Sequence, residues 1–298
     1  MVSKTEEIAS TLLGKKVSGS EYYDPSLLVA VPRFENREQY GIDENNLPFE
    51  GYDIWHAYEF SAMTEKGIPV TRLMKVKYNC NSKYIVESKS FKLYLNSYNM
   101  SRYGKTIDEC LKLCKESIER DLSEKLETKV EVDFLNDNCE KVNVYNNFVN
   151  ILDLVDKDNI IADKFKEAPE LLEIEETEEE REYYLKFDSL RSRCLITSQP
   201  DFGDLFLFYK SKKHIKEESL AKYLISFRNE CHFHEQCVEM AYKRLFDILE
   251  GDELFISASY CRRGGLDIWP SRWTSNCNIE DINKVLNLKC YARSGIKQ

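Results

Sequence analysis

KYIVESKSFKLYLNSYNMSRYGKTIDECLKLCKESIERDLSEKL, residues 83–126, opens as a strand and continues as two helical stretches. The second stretch carries apolar side chains at Ile107, Leu111, Cys114, Ile118 and Leu122, a helical period. Upstream, DIWHAYEFSAM (53–63) and GIPVTRLMKVKYN (67–79) read as two strands joined by a glycine-containing turn. Downstream, TKVEVDFL (128–135) alternates as a strand. The order then recurs. RSRCLITSQPDFGDLFLFYKSKK (191–213) reads as an extended segment, a Pro-Asp turn and a strand. IKEESLAKYLISFRNECHFHEQCVEMAYKRLFDILEG (215–251) reads as two helices ended by Gly251, and ELFISASYC (253–261) and GLDIWPSRW (265–273) as two closing strands. Locally, YLNSYN (94–99) stands against YLISFR (223–228), and DEC (108–110) against EQC (235–237). The pattern predicts two copies of a β-β-α-α-β-β unit. The fold class is α+β, antiparallel sheets with paired helices on one face.

Bulk properties narrow the function classes. A chain of 298 residues with 42% hydrophobic side chains can bury a real core. The net charge of −10 argues against nucleic acid as the default partner. Much of the acid sits in ELLEIEETEEERE (170–182), which reads as a solvated helix or linker. MVSKTEEIASTLLGKKVSG (1–19) shows no uninterrupted apolar segment and no cleavage signature, so no signal peptide is expected. No apolar run approaches a membrane span. Ten cysteines in such a chain are expected as reduced thiols in the cytoplasm.

Two stretches concentrate chemistry. RNECHFHEQC (228–237) holds two of the four histidines and two cysteines. On a helix, Cys231, His234 and Cys237 fall at steps of three, which allows a zinc reading, although structural zinc sites usually use two separated ligand pairs. The two halves also differ. The first carries ESKSFK (87–92); the second carries FHEQC (233–237) and no ESKS. A site composed from both halves would account for this, and drift in a duplicated scaffold is the plainer alternative.

VESKSFKLYLNSYN (86–99), CLITSQPDFGDL (194–205), FRNECHFHEQC (227–237) and RRGGLDIWP (262–270), with LPFEGYDIWHAYEFS (47–61), together resemble the NADPH-dependent 7-cyano-7-deazaguanine reductases. These are the nitrile reductases of queuosine biosynthesis, and the motif order resembles their long two-module branch. The resemblance implies tandem modules of the tunnelling fold, a fold also seen in GTP cyclohydrolase I. The chain would divide into an N-terminal extension (1–35), a first module carrying ESKSFK (36–150), an acidic linker (151–185) and a second module (186–298). It implies Cys194 as the nucleophile that forms a thioimide with the nitrile, and Asp201 as proton donor. Substrate contacts would be Val86, Glu87, Ser88, His234 and Glu235, with Glu235 accepting from the guanine-type edge and Phe233 packing on the base. NADPH contacts would be Ser88, Lys89, Arg263 and Gly264, with Arg262 a weaker candidate; no G-x-G-x-x-G occurs. No metal, nucleic acid or membrane partner is implied. A homodimer is, with sites at a junction between modules that is open to lying within one chain or between two, the second being favoured. Rival readings are an amidine-forming relative that uses no NADPH, a zinc cyclohydrolase of the same fold, and a non-catalytic purine-binding module.

Overall fold

The computed structural model describes Glu7 and residues 20–297. The signal-peptide question at residues 1–19 therefore lies outside the described residues, Glu7 apart. Strands β2 (Glu50–Met63) and β3 (Pro69–Asn79) form the first predicted hairpin. A short ribbon precedes and follows it, made by β1 (Ala30–Pro32) and β4 (Tyr84–Val86), with α1 (Phe34–Gln39) after β1. Helices α2 (Ser88–Asn96) and α3 (Ile107–Leu126) follow, then β5 (Val130–Leu135). The crossover contains β6 (Glu140–Asn143) and β7 (Val149–Asn150). The second half runs β8 (Ile174–Arg193), β9 (Pro200–Ile215), α4 (Glu217–Ser226), α5 (His234–Ile248), β10 (Glu253–Tyr260) and β11 (Leu266–Trp273). The chain closes with α6 (Glu280–Leu286) and β12 (Cys290–Arg293).

Seven long strands and β7 make one sheet, in the order β5-β3-β2-β11-β10-β9-β8-β7. The strands from the two halves join where β2 pairs antiparallel with β11, from Ala57 opposite Leu266 to Glu50 opposite Trp273. Period-two alternation buries both faces. On β9, Leu205, Leu207 and Tyr209 pack with α4 and α5, while Phe206 and Phe208 point to the opposite face with Tyr145, Phe148 and α6. On β2, Trp55 and Ala57 pack with α2 and α3, while Ile54 points the other way. Both helix pairs thus cover the sheet, as the α+β reading requires.

Four local expectations need correction. The acidic run is neither helix nor linker: residues 174–182 belong to β8 and are largely solvent-facing. Strand pairing sets Glu175, Glu176 and Glu182 opposite His214, Lys213 and Lys210, so cross-strand charge complementarity offsets a composition poor for a strand. The Pro-Asp turn lies earlier. Ser198 takes the left-handed conformation (φ 54°), and Pro200 already begins β9. The α3 stripe is Cys110, Cys114, Ile118, Leu122 and Leu126, while Ile107 is exposed, because Thr106 caps the helix and leaves its first turn in solvent. Finally, the first copy ends at β5 in the sheet; β6 pairs with β12 instead.

Candidate active site

The seam between the halves opens into a cavity of about 380 Å³, within the range that holds a small planar ligand. One wall comes from the first half: Trp55 of β2, Val86 at the end of β4, and Ser88, Lys89 and Lys92 on α2. The other comes from the second half: Cys194, Asp201, His234, Glu235, Arg263 and Gly264. Nine of the ten residues given firm roles from sequence meet here within a single chain, as does Phe233, while Arg262, the weaker candidate, does not line the cavity. The junction, left open between one chain and two, is lined here by both halves of one chain, because the β2–β11 pairing brings the β4–α2 corner against the turn after β10.

Glu87 is the exception. It is fully buried, it does not line the cavity, and it caps α2. Its Oε1 accepts from the Lys89 amide at 2.8 Å and its Oε2 from the Ser90 amide at 2.6 Å. Neither Ser88 nor Ser90 is the cap. A buried carboxylate accepting two backbone amides at a helix start is the arrangement the helix dipole favours; burial nonetheless leaves its pKa above the ordinary value, the amides only offsetting part of the shift.

Asp201 and its neighbours make the polar end of the cavity. Asp201 Oδ2 lies 3.4 Å from His234 Nε2, and Oδ1 accepts from Arg263 Nη1. Burial pushes the Asp201 carboxyl up, but His234 and Arg263 outweigh it and hold the group below its usual range. His234 stacks flat on Tyr260, with ring centroids 3.7 Å apart and planes within 6°. Cys194 sits in the turn between β8 and β9. Its amide donates to Gln199 O and its carbonyl accepts from the Ser198 amide, which fixes the thiol at the cavity wall. Arg191 and Arg193, its neighbours in sequence, do not line the cavity: Arg191 donates to the Arg228 carbonyl, and the Arg193 backbone pairs with residues 230–232.

Glu235 opens α5 and is 1% exposed, with Oε1 facing no partner. Burial, then the Asp53 carboxylate, raises its pKa; Arg33 and Arg272 pull the other way. Behind it lies a cluster that sequence reading missed. Arg33 bonds Asp53 at 2.5 Å, Arg37 and Arg272 each bond Glu239 at 2.8 Å, and Arg272 reaches Asp53 at 2.9 Å. Glu239 is one helical turn beyond Glu235, so the network anchors the same face of α5. These charges are scattered over 240 positions of sequence, and no local spacing announces them.

Trp55, Lys92, Gln199 and Cys261 also line the cavity and were not singled out. Lys92 was detectable as the last residue of ESKSFK, one turn after Lys89. Phe233 lines the cavity and packs with Ile196 against Val31 and Ile85. Cys231 lies before α5 and Cys237 is buried within it. Among the described residues, no group of three or more His, Cys, Asp or Glu is placed to hold a metal ion, and no helix is long and apolar enough to cross a membrane.

A family model described as nitrile reductase, 7-cyano-7-deazaguanine-reductase N-term, matches residues 20–134, and one described as QueF-like protein matches 200–278. An NADPH-dependent 7-cyano-7-deazaguanine reductase of Colwellia psychrerythraea is 39% identical over 270 residues, which is 89% of this chain and 92% of that one. The proteins of the same name from Legionella pneumophila strains Corby and Paris are 37% and 36% identical, each over 91% of this chain and 92% of its own. The chain belongs to the 7-cyano-7-deazaguanine reductase family. The two matched regions of this reductase-family chain fall on opposite walls of the cavity. The first contains Val86, Ser88 and Lys89, the second Asp201, His234, Glu235, Arg263 and Gly264, and Cys194 stands just before the second.

Proposed function

We propose that the chain reduces 7-cyano-7-deazaguanine to the 7-aminomethyl compound at the expense of two NADPH, within queuosine biosynthesis, with Cys194 as nucleophile. The supporting observation is the single cavity in which a thiol, an ionised carboxylate paired to a histidine, and an unpartnered carboxylate oxygen face one another beside three cationic side chains. Glu235 accepts the ring N–H and exocyclic NH₂ of the base, a pairing only its ionised form can make in full. Trp55 and Phe233 supply apolar walls for the planar ring.

Asp201 is poised as a carboxylate, so it must take a proton before it can give one. The Cys194 thiol provides that proton. Sγ then bonds the nitrile carbon while Asp201 returns the proton to the nitrile nitrogen, which leaves a neutral thioimide. His234 holds Asp201 in place and shares the proton during transfer. Expulsion of the Cys194 thiolate from the reduced, N-protonated adduct leaves an iminium, and the second hydride converts it to the amine.

The residues fit NADPH. Lys89, Lys92 and Arg263 present positive charge at one side of the cavity. Gly264 has φ +59°, where any side chain is strained, and lacking a Cβ it exposes its backbone beside the flexible end of Lys92. The backbone is therefore open to close approach. When bound, NADPH supplies the hydride, twice per nitrile.

The same reading takes the two halves as tandem tunnelling-fold modules whose sheets have merged, the second starting with β8, in a cytoplasmic homodimer without nucleic-acid or metal partners. The duplicated strand–helix order supports the modules. The test of the site is intact mass. With nitrile alone, wild-type protein should gain the mass of one substrate on Cys194, and Cys194→Ala should lose both adduct and turnover. An adduct on Cys261 or Cys231 contradicts the assignment.

A further inference from the structure

Arg262 stands next to the cofactor-facing Arg263, yet it does not line the cavity. Its guanidinium carbon lies 3.8 Å from the centroid of the Tyr58 ring. That ring is held on its far side. Tyr58 Oη donates to Asp267 Oδ2 at 2.7 Å, and the other Asp267 oxygen meets His56 Nδ1 at 2.7 Å. Tyr58 Oη also lies 3.2 Å from Tyr291 Oη. His56 and Asp267 are buried, so the platform under Arg262 cannot swing.

The turn above that platform needs such a clamp. Gly264 and Gly265 have φ of +59° and +80°, a pair of left-handed positions with the largest conformational freedom the chain can have. Its backbone bonds are those between Arg263 and Leu266, and one from Tyr58 N to Gly265 O at 2.9 Å. Arg262, Arg263, Lys89 and Lys92 are like charges on neighbouring segments and repel. A stack on an aromatic face gives one of them a fixed place away from the others.

We propose that Arg262 is a positioning residue that locks the 262–265 turn by stacking on Tyr58, so that Arg263 and Gly264 are presented to the cofactor. The inference rests on the functional reading above and assigns a part to Tyr58, Asp267 and His56 that lies outside the cavity. Arg262 acts through Arg263 and touches no substrate.

The test is a coupling measurement on the full chain. NADPH affinity is titrated for wild type, Arg262→Gln, Tyr58→Leu and the double variant, and nitrile adduct formation is followed by mass in each. Each single variant should weaken NADPH about tenfold, the scale of one well-placed stack. The double variant should be no weaker than the weaker single, and any slowing of adduct formation, passed on through the Arg263 contact to Asp201, should likewise not add. Tyr58→Phe, which keeps the ring face but frees it from Asp267, should fall between wild type and Tyr58→Leu. Losses that multiply in the double variant would make Arg262 a direct cofactor ligand and overturn the proposal. So would an unchanged NADPH affinity in Arg262→Gln, an exposed position where folding is not at stake. Wild-type protein that forms the adduct but binds no NADPH would sink the functional reading, and the proposal with it.

Discussion

Asp201 and Glu235 face one cavity from opposite electrostatic positions. His234 and Arg263 stabilise the charge on Asp201, whereas Glu235 is desolvated with a like charge, Asp53, among its neighbours. Environments that push two carboxyls apart divide their roles. In the proposed reaction Asp201 handles the proton, and Glu235 is the recognition group whose charge is completed by the N–H donors of the base. Because the Glu235 pKa is raised, a fraction of the free protein carries it protonated, and binding the base selects the ionised form. Substrate should therefore bind more weakly as pH falls through the Glu235 pKa, and binding should release protons. Calorimetry of base binding to Cys194→Ala in two buffers of different ionisation enthalpy reads this directly. A binding enthalpy independent of the buffer contradicts it, and Glu235→Gln should abolish the proton release and weaken binding by about tenfold or more, one charge-assisted hydrogen bond being worth ~1.5–3 kcal/mol. Cys194, Asp201, His234, Glu235, Arg263 and Gly264 were readable because their motifs are contiguous. Arg33, Asp53, Glu239 and Arg272 were not, since a buried ion cluster has no sequence period.

At the scale of elements, period and alternation located the strands and helices because those signals are local. The misreadings have one cause each. Residues 170–182 were judged by composition, and the basic strand that accepts them lies some 30 positions away. Glu87 was read as touching substrate because it lies inside ESKSFK, but its position before α2 makes it the cap. The distinction is measurable. Glu87→Ala should cost roughly 1–2 kcal/mol in denaturant unfolding, the worth of a helix cap, and should weaken substrate and NADPH together by loosening Ser88 and Lys89. A variant of unchanged stability that loses substrate affinity alone would restore Glu87 to the binding surface.

At the scale of the molecule, each half lacks what the other holds, and β2–β11 pairing makes the two one site. The recurring strand–helix order was legible; which edges would meet was not, because register between strands more than 200 residues apart leaves no local trace. A site closed within one chain has a clear consequence. Mixing Cys194→Ala with Lys89→Ala under subunit exchange should restore no activity, since no chain in the mixture carries both walls intact. Recovery in proven mixed dimers would show that walls are shared between chains. The central claim is the reaction itself, and its most direct measurement is to mix the purified chain, 7-cyano-7-deazaguanine and NADPH, and follow cofactor absorbance with product mass. Oxidation of two NADPH for each nitrile consumed, with the aminomethyl product, is the predicted result. Nitrile consumed without NADPH oxidation, or converted to an amidine when ammonia is supplied, would contradict it.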